Sequence, residues 1–97
     1  SGTGKQPTVA DEVIIHYEGK TVDGKVFDSS IQRNEPARFP VQRVVPGFSE
    51  ALQRMKVGDK WQVTIPPALG YREQGSPPAI GPNETLIFEI ELLEVVN

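Results

Sequence analysis

The segment FDSS, Phe27 to Ser30, sets an acid beside two hydroxyl groups and is the first candidate for chemistry in the chain. Asp28 has the functional group of a general acid, a metal ligand or a turn cap. Ser29 or Ser30 would serve as a nucleophile only with a base nearby, and that base would have to be His16, the chain's only histidine. From the residues alone, a turn cap is favoured for Asp28, turn positions for both serines, and a solvated strand position for His16.

Metal and cofactor sites have few candidate residues. One histidine excludes a histidine-clustered metal site, and the absence of cysteine excludes thiolate ligands and disulfides. The chain has no glycine-rich phosphate loop preceded by a strand, and no calcium-loop spacing. We therefore expect no metal and no cofactor, and a reaction that needs neither.

The composition is that of an ordinary globular domain. The 97 residues are 37% hydrophobic, which favours a single domain over residues 1–97 with a shallow core. The net charge of −3 argues against nucleic-acid binding, and no apolar run is long enough to span a bilayer. Because the chain lacks an initiator methionine, we expect it to be the C-terminal domain of a longer protein.

Alternation of apolar and polar residues predicts the strands. The predicted strands cover residues 12–19, 25–27, 36–41, 59–65 and 85–96. Asp23-Gly24 is a hairpin signal between the first two. Trp61, Val63 and Ile65 share one face of the fourth strand.

One short helix is predicted by an apolar stripe. Phe48, Ala51, Leu52 and Met55 follow helical spacing, with Pro46-Gly47 before them and Gly58 as the expected stop. One helix and mostly hairpin-linked strands indicate an α+β fold, in which the helix covers the concave face of a twisted antiparallel sheet.

The aromatic residues are the best indication of a binding site. Aromatics usually build the core, but Tyr71 lies within the long loop over residues 66–84, which contains five prolines. Loops of that length are usually functional. Phe48 begins the helix, so an aromatic-lined cleft at the helix start, roofed by this loop, is a second interpretation.

Three segments carry a resemblance to a known family. They are VIIHYEGKTVDGKVFDSS, FPVQRVVPGFSEALQRMKVGDKWQVTIPPALGY and AIGPNETLIFEIELLEV. In this order they resemble the FKBP-type peptidyl-prolyl isomerases over nearly the whole chain. The segments IPPALGY and IGPNETLIFEIELLEV are most similar to the bacterial macrophage infectivity potentiator branch.

The resemblance implies a fold and a site. The fold would be a five- to six-stranded antiparallel half-barrel around one short helix. The positions that match the family's catalytic pocket are Tyr17, Phe27, Asp28, Phe39, Phe48, Tyr71 and Phe88, and those that match its substrate- and macrolide-binding positions are Val44, Val45 and Ile80. For Asp28, the resemblance favours a role in orienting groups at the pocket edge, held by Tyr17, over the turn cap.

Three positions depart from the family pattern. Phe48 stands where the family usually has Trp, Arg72 where it usually has Gly after the tyrosine, and Gly81-Pro82 replaces Pro-Pro.

The implied activity is rotation of X-Pro peptide bonds without covalent chemistry. Implied partners are proline-containing peptides, unfolded proteins, and the macrolides tacrolimus and rapamycin, with no nucleic acid and no membrane contact from this domain. The branch further implies a bacterial periplasmic or envelope location, a monomeric isolated domain and a dimeric full-length protein. Two alternatives stay open: a proline-peptide-binding chaperone or docking module, and a hydrolase that uses Ser29 or Ser30 with His16.

Overall fold

A computed structural model describes residues 4–96 of the chain. Its strands and helices, in chain order, are β1 (Glu12–Thr21), β2 (Val26–Ser29), α1 (Ser30–Arg33), β3 (Ala37–Pro40), α2 (Pro46–Arg54), β4 (Lys60–Ile65) and β5 (Leu86–Val96). Single 3₁₀ turns cover Val41–Arg43 and Pro67–Leu69. All five predicted strands and the predicted helix are confirmed. The four-residue helix α1 was not predicted, because it is too short for a helical apolar pattern.

The strands form one antiparallel sheet in the order β2-β1-β5-β4. β3 also pairs with β1, along residues 12–15, whereas β2 pairs with β1 along residues 18–20. Both strands therefore lie along the same edge of β1. The predicted α+β architecture, a twisted antiparallel sheet with one main helix, is confirmed with five strands in the described chain.

The hairpin predicted at Asp23-Gly24 is present. The Thr21 N–H donates to the Lys25 carbonyl at 2.9 Å and the Gly24 N–H to the Thr21 carbonyl at 2.9 Å. Gly24 has φ of 89°, a conformation that costs glycine little because it has no Cβ. The turn brings β2, and with it Phe27 and Asp28, back alongside β1.

The core lies between the sheet and α2. The helix contributes Phe48, Ala51, Leu52 and Met55, all buried as predicted from their spacing. The inward residues of the two central strands complete it: Val13, Ile15 and Tyr17 on β1, and Leu86, Phe88, Ile90 and Leu92 on β5. These side chains fix the depth at which α2 sits over the sheet.

The predicted stop of the helix at Gly58 is wrong. α2 ends at Arg54, and Met55 caps it with extended backbone while its N–H donates to the Ala51 and Leu52 carbonyls. Gly58 lies beyond this cap, and its N–H donates to the Leu92 carbonyl at 2.9 Å. It therefore forms the turn into β4 rather than the helix terminus.

The face predicted for β4 is only partly buried. Ile65 is buried and Val63 is half-buried, but Trp61 is 37% exposed. β4 is the last strand of the sheet, and Trp61 lines a groove between β4 and α2 together with Glu50 and Arg54. Among residues 4–96, no helix is both long and apolar enough to cross a membrane.

Candidate active site

A cleft of about 250 Å³ opens where β1, β2, β3, β5 and the start of α2 meet. Its lining residues are Tyr17, Phe27, Asp28, Phe39, Arg43, Val44, Val45, Phe48, Tyr71 and Phe88. The structure therefore brings together nine of the ten residues predicted for the site. Ile80 is the one that does not line the cleft, and Arg43 is a lining residue that was not predicted.

Five aromatic rings form the wall and floor of the cleft, each meeting the next edge to face. Phe88 lies 4.9 Å from Phe48 and 5.6 Å from Phe27, measured between ring centroids. Tyr17 lies 6.4 Å from Phe48 and 5.7 Å from Phe39. Edge-to-face contacts are one of the two preferred geometries of aromatic pairs. The rings therefore support one another and leave an apolar, preformed cavity.

Gly19 provides the space for two of these rings. It occupies an inward position of β1, where a Cβ would come within 2.6 Å of both Phe27 and Phe88. Real Cβ atoms do not approach other atoms that closely. The Phe27 and Phe88 rings can therefore meet over β1 only because this residue has no side chain.

The residue that precedes α2 contributes an unpaired backbone donor. Val45 precedes the helix, and no side chain caps it. In residues 4–96 the Val45 N–H has no hydrogen-bond acceptor in the protein, although Val45 itself lines the cleft. The first N–H groups of a helix have no acceptor within the helix. The Val45 amide is thus available to a carbonyl of a bound molecule.

Tyr71 enters the cleft from the long loop. Tyr71 is 36% exposed, so part of the residue is in contact with solvent. The loop is held by backbone hydrogen bonds, from the Arg72 N–H to the Pro67 carbonyl at 2.9 Å and from the Asn83 N–H to the Arg72 carbonyl at 2.7 Å. Arg72 has φ of 57°, the left-handed conformation that suits the glycine usual at this position. The loop therefore adopts a left-handed residue at this position although arginine carries a Cβ.

Ile80 lies in the core instead of the cleft. It is 3% exposed and packs within the main hydrophobic cluster. Two backbone hydrogen bonds with Ser76, of 2.9 and 3.0 Å, close a bridge across the tip of the loop. This bridge directs Ile80 inward, so that it anchors the loop and does not line the pocket.

Asp28 accepts hydrogen bonds from two side chains at the edge of the cleft. The Tyr17 hydroxyl donates to Oδ2 at 2.5 Å, and Arg33 Nη1 donates to Oδ1 at 2.7 Å. Arg33 Nη2 also donates to the Tyr17 hydroxyl oxygen at 3.2 Å, and its guanidinium lies 5.9 Å from the Tyr17 ring centroid. The three groups form a closed triangle.

The protonation states of this triangle follow from its contacts. Burial and the hydrogen bond to Asp28 raise the pKa of the Tyr17 hydroxyl. Burial acts to raise the pKa of Asp28 as well, but the hydrogen bonds from Tyr17 and Arg33 outweigh it, so that pKa lies below its ordinary value. The hydrogen bond to Asp28 raises the pKa of Arg33. Near neutral pH the triangle is a carboxylate, a neutral phenol and a guanidinium.

The two serines of FDSS are not ordinary turn residues, and His16 is not simply solvated. Ser29 Oγ accepts from the Gln32 N–H at 3.1 Å and so caps α1. Ser30 is fully buried: its Oγ accepts from the Tyr17 N–H at 2.7 Å and donates to the Tyr17 carbonyl at 3.2 Å. His16 is half-buried, with Nδ1 3.0 Å from the same Oγ.

This arrangement bears directly on the hydrolase alternative. The structure does place a serine hydroxyl and the histidine within hydrogen-bond distance. A nucleophile must, however, reach a substrate, and Ser30 Oγ has no exposed surface and is bonded to both backbone groups of Tyr17. Ser30 is therefore a structural residue. Its hydroxyl links the start of α1 to β1 and fixes the backbone of Tyr17, a residue that lines the cleft.

The profile of one protein family covers almost the whole chain. The family described as FKBP-type peptidyl-prolyl cis-trans isomerase matches residues 3–93. The chain belongs to this family. The departures noted above, at Phe48 and Arg72, thus lie within an FKBP-type domain whose cleft and loop are both formed.

Individual FKBP-type relatives support the same assignment. The chain is 52% identical over 95 residues to the peptidyl-prolyl cis-trans isomerase Mip of Coxiella burnetii, covering 98% of this chain and 41% of the relative. It is 48% identical over 97 residues to the outer membrane protein MIP of Legionella longbeachae, covering 98% and 41%. The crystal structure of FkpA from Escherichia coli superposes with a TM-score of 0.94 at 44% identity, covering 99% and 45%. The chain thus spans less than half the length of these proteins.

Three residues of this FKBP-type site were missed from the sequence. Gly19 carried a recognisable signal, since a glycine at an inward position of an alternating strand often marks a close approach. Arg33 and Arg43 carried none, because a lone arginine in a loop or short turn is usually a solvated side chain. Only the fold brings Arg33 against Asp28 and Arg43 to the cleft.

Proposed function

We propose that this domain accelerates cis-trans rotation of X-Pro peptide bonds, with the proline ring held in the aromatic cleft. The observation that carries the proposal is a preformed apolar cavity lined by five mutually packed rings, by Tyr71 and by Val45, whose backbone N–H has no acceptor among residues 4–96. Family membership supports the same reaction.

The chemistry of the reaction explains why an apolar cleft would suffice. The barrier to peptide rotation is roughly 18–20 kcal/mol and arises from loss of conjugation as the amide twists. No bond is made or broken, and the twisted amide is less polar than the planar one. An environment without water therefore destabilises the planar amide more than the twisted one, which is differential binding of the transition state. Phe27, Phe39, Phe48 and Phe88 would supply that environment.

The polar groups would orient the substrate. Tyr71 and Val45 both line the cleft, so the Tyr71 hydroxyl and the Val45 N–H would serve as a donor pair for substrate carbonyls. Asp28, fixed by Tyr17 and Arg33, would place a negative charge near the rotating carbonyl and act electrostatically. Val44 would extend the apolar rim, and Ile80 would contribute by anchoring the loop that carries Tyr71.

The direct test is the exchange rate of an X-Pro peptide measured by fluorescence relaxation or NMR exchange. We expect catalysis by the wild-type chain, a small loss for Tyr71→Phe and a large loss for Phe39→Ala, because the apolar wall contributes more than one exposed hydrogen bond. Phe39 is half-buried, so unfolding curves should accompany the rates. A wild-type rate equal to the uncatalysed rate would refute the proposal.

The same experiment separates the alternatives. If the protein bound the peptide but did not accelerate X-Pro exchange, the result would support the alternative of a proline-peptide-binding chaperone or docking module. Reaction with a serine-directed acylating probe, lost in His16→Ala, would support the hydrolase, which the burial of Ser30 disfavours.

We further propose that the cleft binds tacrolimus and rapamycin in competition with the substrate, and that natural substrates are proline-containing segments of peptides and unfolded proteins. Inhibition of exchange by rapamycin tests the first point. Trp61 is a poor reporter for that titration, since it lines the groove on the other side of α2.

A relative named as an outer membrane protein supports a location in the bacterial envelope, which cell fractionation would test.

A further inference from the structure

Two charged side chains line the cleft, and only one of them is neutralised. Asp28 is paired with Arg33 at 2.7 Å. Arg43 is exposed, and within residues 4–96 it forms no ion pair and no side-chain hydrogen bond. The charged side chains that line the cleft, counted with Arg33, therefore sum to one positive charge, although the chain as a whole carries a net charge of −3.

Arg43 is also close in sequence to the atoms expected to hold the substrate. It ends the 3₁₀ turn Val41–Arg43, directly before Val44 and Val45. Val45 lines the cleft, and among residues 4–96 its N–H has no acceptor. A peptide bound through that amide would run past Arg43, whose long flexible side chain carries five N–H donors suited to a carboxylate.

We propose that Arg43 sets a charge preference of the isomerase. It favours substrates with an acidic residue within two positions of the proline over otherwise identical substrates with a neutral or basic residue. The inference rests on the proposed function, because it assumes that the X-Pro segment occupies the aromatic cleft. Since the guanidinium is exposed to solvent, the expected preference is modest, roughly two- to five-fold in kcat/KM for glutamate over glutamine.

The test uses matched peptides that carry Glu, Gln or Lys on either side of one X-Pro bond. The measured quantity is the ratio of kcat/KM for the Glu and Gln peptides within each protein variant, which is independent of the variant's basal activity. We expect the ratio to fall to about one in Arg43→Gln and to invert in Arg43→Glu. At about 1 M salt the wild-type ratio should also approach one, because the screening length falls to about 3 Å.

Arg54→Gln is the matched control. It removes the same charge, but Arg54 pairs with Glu50 at 3.2 Å and lines the groove on the other side of α2. We expect its Glu-to-Gln ratio to equal that of the wild type. A fall in Arg54→Gln as large as in Arg43→Gln would show that only net charge matters and would overturn the assignment.

Two further outcomes are decisive. A wild-type ratio of one, or a ratio unchanged in Arg43→Gln, would overturn the inference while the isomerase function stands. If no peptide were isomerised, the proposed function would fail. The charge preference would then be tested by binding: fluorescence anisotropy would compare the affinities of the labelled Glu and Gln peptides for the wild type and for Arg43→Gln.

Discussion

At the scale of single residues, Asp28 is held by two other side chains. Tyr17 and Arg33 each donate to one of its oxygens, so the carboxylate has a fixed orientation although its side chain is 44% exposed. In the proposed isomerisation no proton moves, so Asp28 would contribute through its charge and position and not through its basicity. Two measurements distinguish these properties.

The first prediction concerns removal of the carboxylate. Asp28→Ala should lower kcat/KM roughly five- to twenty-fold, since a charge-assisted hydrogen bond is worth about 1.5–3 kcal/mol and partial exposure places this one near the lower end. Asp28→Asn keeps an acceptor for the Tyr17 hydroxyl and should lose less. If Asp28→Ala altered neither turnover nor macrolide affinity, the orienting role would be wrong.

The second prediction is a flat pH profile. The lowered pKa of Asp28 means that its stabilising interaction is complete above its unfolded-state pKa and is lost as pH falls through the folded-state pKa. The raised pKa of Tyr17 means that its contribution is complete below its unfolded-state pKa and is lost only as pH rises through the folded-state pKa. For an uncharged peptide, kcat/KM from NMR exchange should thus be constant between about pH 5 and 9. A bell-shaped profile near neutral pH would instead indicate proton transfer.

At the scale of elements, the long loop is ordered by its own backbone while one of its residues is strained. Arg72 has φ of 57°, which costs a residue with a Cβ roughly 1–2 kcal/mol relative to the right-handed region. Hydrogen bonds on both sides of Arg72 hold it there. The loop that presents Tyr71 is therefore formed at some cost in stability.

The third prediction uses this strain. Arg72→Gly should raise the free energy of unfolding by roughly 0.5–1 kcal/mol, because relief of strain exceeds the extra entropy of glycine in the unfolded chain. Urea unfolding at constant m-value measures it. Arg72→Ala is the control, since it removes the charge but retains the Cβ, and it should give no gain. Equal stabilisation by both variants would point to charge as the cause.

The elements also show where sequence reasoning succeeds and where it fails. Alternation and helical spacing predicted β1, β5 and α2 because the core buries one face of each. Periodicity could not predict α1 or the helix end, which depend on single hydrogen bonds such as those of Ser29 and Met55. It put Trp61 on one face with Val63 and Ile65 but could not show how deeply each is buried, which depends on β4 being an edge strand. Most of the site was predicted through family resemblance, not from pattern.

At the scale of the whole molecule, the cleft and the hydrophobic core share side chains. Tyr17, Phe48 and Phe88 line the cleft and also belong to the buried cluster that holds α2 on the sheet. Sequence alone could list these residues but could not show that Gly19 lets the rings meet, since that depends on contacts between three separate strand positions.

The fourth prediction tests whether the packing of the core and the shape of the cleft depend on the same contacts. Gly19→Ala should lower the free energy of unfolding by roughly 1–3 kcal/mol, as overpacking does, and should also lower kcat/KM per folded molecule, since the new methyl displaces Phe27 and Phe88. Denaturant curves and exchange rates measure both effects. Gly81→Ala is the matched control: its Cβ would lie 3.7 Å from the nearest atom, so no loss of stability is expected. A Gly19→Ala protein with normal stability and activity would contradict the shared packing.

The shared use of Phe48 and Phe88 restricts how such a protein can evolve. A substitution that reshapes the floor of the cleft also disturbs folding, so selection for a new substrate and selection for a folded chain act on the same positions. Arg43 and Tyr71, which line the cleft from outside the buried cluster, are free of that conflict. Among descendants of this domain, substitutions that change substrate preference should therefore be more frequent at positions such as Arg43 and Tyr71 than at the aromatic residues of the cleft floor.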